Sequence, residues 1–343
     1  MRDVEGKVVT DESHEVAREK MAILRILADS PKAMGSKVIA RLLKDDYGID
    51  LSERAVRYHL GLLDERGLTS KVSRRDGRRV TGMGMEEMGN ALVGDKVGFV
   101  IDKIELLAFQ TTFDPRTRKG LVPINFSLFP AGQFKRAIAA MTPCFEAGLC
   151  VSDLVAVARE GEKLAGVTVP SGQIGFATVC SIVFNGVLLK AGIPTDSRFG
   201  GILQLDKSKP WRFSDLIQYS GSSLDPSEIF IAGRMTSIGH AVGTGDGKIL
   251  ANFREMPAMS LGLAETIIAN LKQAGINGPL TLGESSKPVC QVPVGLNKVG
   301  VVLAGGLNPV AAAAEAGCTV SNKAMSRVIE FSELVHFNTI YSS

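Results

Sequence analysis

The stretch Ser52 to Val80, SERAVRYHLGLLDERGLTSKVSRRDGRRV, decides how the N-terminal part of the chain is read. Ser52 suits a helix N-cap, because its hydroxyl can accept from an N–H of the first turn that has no partner in the helix. Gly67 suits the position just past the last turn, where the backbone turns left-handed. Between them Val56, Leu60 and Leu63 recur at helical spacing and mark an inward face. That turns Ser52, Arg54, Arg57 and Tyr58 outward. After Leu68, Asp76-Gly77 is the signal of a tight hairpin turn. Short strands flank it, and Arg74, Arg75, Arg78 and Arg79 crowd the tip.

Working outward, two more helices are expected upstream. Val16, Met21, Ile23, Leu24 and Leu27 give an apolar stripe that begins near His14 and ends at Ser30-Pro31. Lys37 to Tyr47 forms a shorter helix stopped by Gly48. Three helices and a hairpin in this order make a winged helix-turn-helix. In that motif the N-terminal half of the third helix enters the major groove. Residues 52–80 hold eight basic and four acidic side chains, a net +4 where the whole chain has +3. The arginines stand where phosphates would be met, so the expected partner is double-stranded DNA. His59 is expected to pack beside the first helix or the wing.

The composition narrows the rest. The 343 residues are 45% hydrophobic and 22% charged, an ordinary globular profile. Five cysteines (144, 150, 180, 290 and 318) form no CxxC pair and read as buried thiols in a reducing compartment. The N-terminus is charged and lacks the apolar segment of a signal peptide, and no apolar run is long enough to span a bilayer. The expected location is the cytoplasm. Residues 81–92 read as a short helix or turn joining two domains, 1–92 and 93–343.

The second domain repeats itself. Gly120-x4-Asn125-Phe126-x3-Pro130 matches Gly247-x4-Asn252-Phe253-x3-Pro257. Pro170-x-Gly172 with Ile174-Gly175 matches Pro293-x-Gly295 with Val299-Gly300. Ala191-Gly192 matches Ala316-Gly317, and Phe213–Tyr219 matches Phe331–Phe337. Matches in one order point to a duplicated unit, with halves of about 96–220 and 221–343. Strands are expected at 97–101, 122–128, 154–158, 249–253 and 299–303. Helices are expected at 133–146, 178–190, 261–274 and 309–316. The fold class is therefore α/β and multi-domain, a winged helix followed by an α/β domain of two similar halves. The strand order does not follow from the pattern. A cleft between two such halves is a favoured place for a small ligand.

No catalytic constellation is found. HExxH, GxSxG and Walker A patterns are absent, and four histidines are too scattered to build on. Gly243-x-Gly245-x-Gly247 reads as a turn, and so does Gly305-Gly306, although the latter could offer N–H groups to an anion. The chain is read as a non-enzyme that needs no cofactor and no metal. Polar residues beside glycines supply candidates for holding a dicarboxylate: Arg198 and Arg234 for its charges, and Ser171, Thr178 and Ser181 as donors.

Taken together these residues resemble the archaeal NrpR family of nitrogen-regulatory repressors. The resemblance rests on LSERAVRYHLGLLDERGL (51–68), ALVGDKVGFVIDKIE (91–105), VPSGQIGFATVCS (169–181) and GIPTDSRFGGIL (192–203). It implies repression of nitrogen-assimilation genes from palindromic operators, weakened by 2-oxoglutarate, with a homodimer as the binding species. Some relatives carry two tandem regulatory domains, whereas this chain has length for one. The shorter type resembles proteins that work with a separate partner lacking the winged helix. Two other readings fit the residues less well. One is a winged-helix adaptor that contacts transcription proteins without sensing a ligand; the other is an enzyme with an appended DNA-binding module.

Overall fold

The computed structural model describes residues 14–30, 32–73, 77–90 and 98–340. Its contacts divide the chain into two compact units, residues 1–102 and 103–343. The boundary expected at residue 92 falls among residues 91–97, outside the described ones.

The first unit opens with helices α1 (His14–Ala28), α2 (Ser36–Tyr47) and α3 (Glu53–Glu65). Gly48 ends α2 in the left-handed region, and the Ser52 hydroxyl caps α3 by accepting from the Ala55 N–H. Strands β1 (Thr69–Ser73) and β2 (Gly77–Val80) form the wing, followed by α4 (Gly82–Asn90). The core joins Ile23, Leu24 and Leu27 of α1 to Ile39 and Leu43 of α2 and Val56, Leu60 and Leu63 of α3. Met34 and Arg78 exchange two backbone hydrogen bonds of 3.0 Å, so the wing is tied to the turn before α2. Gly77 makes this possible: a Cβ there would lie 2.1 Å from the Met34 carbonyl oxygen. His59 lies under α1, with Nε2 3.0 Å from the Glu19 carboxylate.

Helix α5 (Phe99–Gln110) replaces the strand expected at 97–101. Its 3.6-residue spacing of apolar positions is masked by their density, since a short apolar run can be strand or helix.

The second unit is mixed helix and sheet, with two five-stranded sheets that both contribute residues to one buried apolar cluster. The strands are β3 (Leu121–Pro130), β4 (Leu154–Ala158), the small pair β5 (Lys163–Leu164) and β6 (Val167–Thr168), β7 (Gln173–Val179), β8 (Asp196–Asp206), β9 (Lys209–Gln218), β10 (Gly247–Pro257), β11 (Pro279–Leu282), β12 (Lys298–Ala304), β13 (Ser321–Glu330) and β14 (Val335–His336). The helices are α6 (Ala131–Glu146), α7 (Ile182–Lys190), α8 (Pro226–Ala232), α9 (Ile238–Thr244), α10 (Leu261–Gln273), α11 (Asn308–Glu315) and α12 (Phe337–Ile340).

One sheet runs β14-β4-β7-β3-β13 and the other β11-β12-β10-β8-β9, and neighbouring strands are antiparallel throughout. The inner order β4-β7-β3-β13 has its counterpart in β11-β12-β10-β8. Neither sheet is built from one stretch of chain. Strand β8, early in sequence, pairs with β10, and late strand β13 pairs with β3. The two stretches thus trade a strand. The motif pair at Asn125-Phe126 and Asn252-Phe253 sits on the two central strands β3 and β10. The pair Phe213–Tyr219 and Phe331–Phe337 does not share a structure: the first ends an edge strand, whereas the second is a 3-10 turn leading to β14 and α12.

Two expected boundaries move. Thr178 belongs to β7, and the helix after it starts only at Ile182. The segment Asp196–Gly201, where no strand was expected, is the start of β8. All five cysteines are free thiols, four of them buried. Among the described residues no helix is long and apolar enough to cross a membrane.

Candidate functional site

In the first unit the polar face of α3 stands in water. Arg54 and Arg57 are exposed, and Tyr58 is 66% exposed. The Glu53 carboxylate accepts from Ser36 Oγ at 3.0 Å and from an Arg57 guanidinium nitrogen at 3.2 Å. Arg57 is thereby held one turn into the helix. Ser52 is also exposed, but its hydroxyl is committed to the cap. On the wing Arg79 is exposed, whereas Arg78 is half-buried and bonds Asp64 Oδ2 at 2.6 Å. Asp64 accepts from Thr69 as well, so Arg78 braces the wing against α3. Arg74 and Arg75 lie outside the described residues. What remains is a cationic surface on one capped helix and one hairpin strand.

In the second unit a polar cavity lies between the sheets. Asn125 of β3, Asn252 and Arg254 of β10, and Ser181 after β7 line it, with Tyr219 and Asp225 beyond β9. Arg254 is the largest fully buried side chain, at 1% exposure. Its guanidinium donates to the Ser181 carbonyl at 2.7 Å and to the Ser181 hydroxyl at 3.1 Å. Its Nε has no partner among the described residues. Among the described residues no carboxylate forms an ion pair with it; burial lowers its pKa to about 10. A buried cation without a counter-charge is costly, and the cost falls if an anion arrives.

The neighbours orient this group. Asn252 donates to the Ser181 hydroxyl at 3.1 Å and accepts from the Tyr219 hydroxyl. Asn125 donates to Thr178 Oγ1 at 3.3 Å and accepts from the Met325 N–H at 3.0 Å. Three residues of β13, 324–326, bulge opposite Asn125, and the asparagine fills that bulge. Gly306 closes the floor: a Cβ there would lie 2.5 Å from Asn125 Nδ2. Asp225 caps α8 by accepting from the N–H groups of Ser227 and Glu228. Burial nonetheless pushes its carboxyl up, and burial with the nearby Asp225 raises Glu228 to about 7. About 20 Å³ at the centre is open to a water-sized body. That is room for about one water. A dicarboxylate fits the donor set but needs the walls to part.

Of the five residues expected to hold a ligand, the structure brings Thr178 and Ser181 into this network. Ser171 lies in the exposed turn before β7 and donates to Glu160 at 2.6 Å. Arg198 is exposed on β8, 3.3 Å from Asp196 and 3.9 Å from Glu255. Arg234 is exposed after α8 with a left-handed backbone. None of these three lines the cavity. Sequence reasoning passed over Asn125, Asn252, Arg254, Tyr219 and Asp225. A signal was present for two kinds: the asparagines stand in the repeated motif, and Arg254 is a lone cation just after the apolar run ILANF.

A winged helix joined in one chain to a mixed helix-and-sheet body is the layout of a regulator. Comparison with known proteins makes this specific. The family model described as NrpR regulatory domains NRD1 and 2 matches residues 97–336, and a Ribonuclease R winged-helix domain model matches residues 21–88. The chain is 40% identical to a global nitrogen regulator NrpRI of Methanosarcina mazei, over 92% of this chain and 97% of that protein. It is 33% identical to a global nitrogen regulator NrpR of Methanococcus maripaludis, over 91% of this chain and 54% of that one. A crystal structure of a nitrogen repressor-like protein from Methanococcus jannaschii shares 27% identity at a TM-score of 0.59, covering 69% of this chain and 98% of its own. The chain belongs to the NrpR family of nitrogen regulators, which are transcription regulators and not enzymes.

Proposed function

We propose that this chain is a cytoplasmic DNA-binding repressor of nitrogen-assimilation genes that binds a palindromic operator as a homodimer and loosens its grip when 2-oxoglutarate enters the cavity around Arg254. The observation that carries the sensing half is the fully buried guanidinium with no carboxylate partner among the described residues. One ligand carboxylate would pair with Arg254 and Ser181; the amides of Asn125 and Asn252 and the Tyr219 hydroxyl would serve the other oxygens. The present cavity is too small for the ligand, so binding must select a wider arrangement of the sheets. A ligand that prefers one arrangement shifts the population toward it.

The DNA half draws on Arg54, Arg57, Tyr58 and Arg79, exposed on α3 and β2. Binding isotherms on promoter duplexes, at fixed salt, with and without 2-oxoglutarate, test both halves. The expected result is a sequence preference, with affinity that falls steeply when the series is repeated at higher salt, because phosphate contacts release counterions. Effector should weaken binding, and by linkage DNA should weaken effector binding by the same factor. Equal affinity for nitrogen-gene promoters and random DNA overturns the repressor reading. Unchanged DNA binding with effector present overturns the sensing reading.

A further inference from the structure

Strand β9 is a ten-residue sheet edge that pairs with β8 on one side and with no strand on the other among the described residues. A long open edge invites pairing with another chain unless something covers it. Its outward residues are unusual for an idle edge. Trp211 is 45% and Leu216 49% exposed, and the Arg212 guanidinium lies over the Trp211 ring at 4.1 Å. Arg212 bonds the neutral Gln204, and Asp215 accepts from Ser214, so neither charge is spent on an ion pair among the described residues.

The pattern KPWRFSDLIQ is self-complementary when run against itself in reverse. A two-fold centre between Phe213 and Ser214 sets Arg212 opposite Asp215 and Trp211 opposite Leu216, each twice. Shifting the centre by half a residue either way loses the charge match. The register with β8 agrees with this centre: Arg212 lies opposite Gln204 and Asp215 opposite Ile202, two positions of β8 that share a sheet face. Trp211 and Ser214 are extra residues relative to β8 and bow the strand, so the fit rests on side chains rather than on a full backbone ladder. We infer that β9 is the surface by which two copies of this chain meet, antiparallel and two-fold, with Arg212 of each against Asp215 of the other. This deepens the homodimer part of the proposed function. Two-fold interfaces use the same patch on both subunits, which is what a self-complementary strand supplies.

Sedimentation equilibrium of the full chain, without DNA or effector, tests it. Wild type should dimerise. Arg212→Asp and Asp215→Arg should each weaken the dimer about tenfold or more, because each places two like-charged pairs at the contact. Mixing the two variants in equal amounts should restore dimerisation, since both contacts then set an aspartate of one chain against an arginine of the other. A monomeric wild type, single variants that dimerise like wild type, or a mixture that stays dissociated would each overturn the assignment. DNA binding by the winged helix is measured separately and stands or falls on its own isotherms.

Discussion

The arginines on the face of α3 and the wing and Arg254 in the second unit are held in opposite conditions. In the first unit, Arg54, Arg57 and Arg79 stand in water, where a charge costs little. In the second, Arg254 is sealed at 1% exposure, with its Nε unpaired among the described residues. A surface cation serves a polyanion of any sequence; a buried one fits a single small anion in one pose. The central strands of the body sharpen the point. Strand β3 reads Asn125-Phe126-Ser127 and β10 reads Asn252-Phe253-Arg254. The scaffold is matched, but Ser127 makes a neutral hydrogen bond to Asn322 at 2.9 Å where β10 carries a cation. The charge is on one side only, so the cavity is asymmetric within a symmetric frame.

The strongest break in this contrast is Arg254→Met. If the buried cation serves an anion, the variant should bind 2-oxoglutarate about 10- to 150-fold more weakly, as hydrogen bonds to a charged group are worth about 1.5–3 kcal/mol. Calorimetry measures this. Thermal stability should hold or rise, because an apolar side chain of similar length removes a buried charge. Ser127→Ala, at the matched position of β3, should leave effector binding as it is. Equal effector affinity in Arg254→Met and wild type would show that the asymmetry has no bearing on sensing.

The acids repeat the contrast. Glu228 is packed near Asp225, Lys103 and Lys323 and accepts from the Ala324 N–H at 2.7 Å. Burial and the Asp225 carboxylate lift it from the ordinary 4.5 to about 7, against the pull of the N–H and the lysines. The folded chain therefore keeps this proton through a window in which the unfolded chain has lost it. Stability from Glu228 is full below about pH 4.5 and is lost as pH rises through about 7. Glu228→Gln should remove a slope worth on the order of 3 kcal/mol across that window. Urea melts of both proteins from pH 4.5 to 8 check it, and parallel curves would place the carboxyl in a wetter setting.

Arg57→Ala probes the exposed side of the comparison. If Arg57 meets a base edge, the variant should lose about 1 kcal/mol or more of preference for operator over random duplex, at unchanged stability. Arg78→Ala should behave the other way. Arg78 braces Asp64, so its loss should lower the melting temperature through the wing. Competition binding and melting curves on both variants separate the roles, and identical profiles would erase the distinction.

The same contrast explains what could be read from the sequence. The winged helix was legible because its signals are local: Ser52 caps three residues ahead, Gly48 and Gly67 end helices, and the apolar stripes have the helical period. In the body the apolar runs were legible: the strands expected at 122–128, 154–158, 249–253 and 299–303 and the helices expected at 133–146, 261–274 and 309–316 are there, as β3, β4, β10, β12, α6, α10 and α11. Strands β8 and β13 were not foreseen, because their pattern depends on partners more than 40 residues away across the exchanged strands. In β9 the extra residues Trp211 and Ser214 break the alternation that marks a strand. The cavity joins residues from 104 to 325, and no spacing rule links them. Arg198 and Arg234 drew notice through their glycine neighbours. What sets Arg254 apart is burial, a property of packed sheets rather than of a motif.

The smallest expected effect is also the most discriminating test of the exposed surface. Glu53 holds Arg57 through one ion pair at 3.2 Å and Ser36 through a hydrogen bond. Exposed pairs of this kind are worth about 0.3–0.5 kcal/mol, so Glu53→Gln should barely alter stability. Its effect on DNA should split in two. Removing a negative charge beside phosphates should strengthen binding to every duplex. Releasing Arg57 from its tether should at the same time cut the ratio of operator to random affinity, by about twofold on the same energy scale. A simple charge effect raises both affinities together and leaves the ratio alone. Only a carboxylate that aims the arginine lowers the ratio while total binding rises, and filter-binding titrations on paired operator and random duplexes resolve the two.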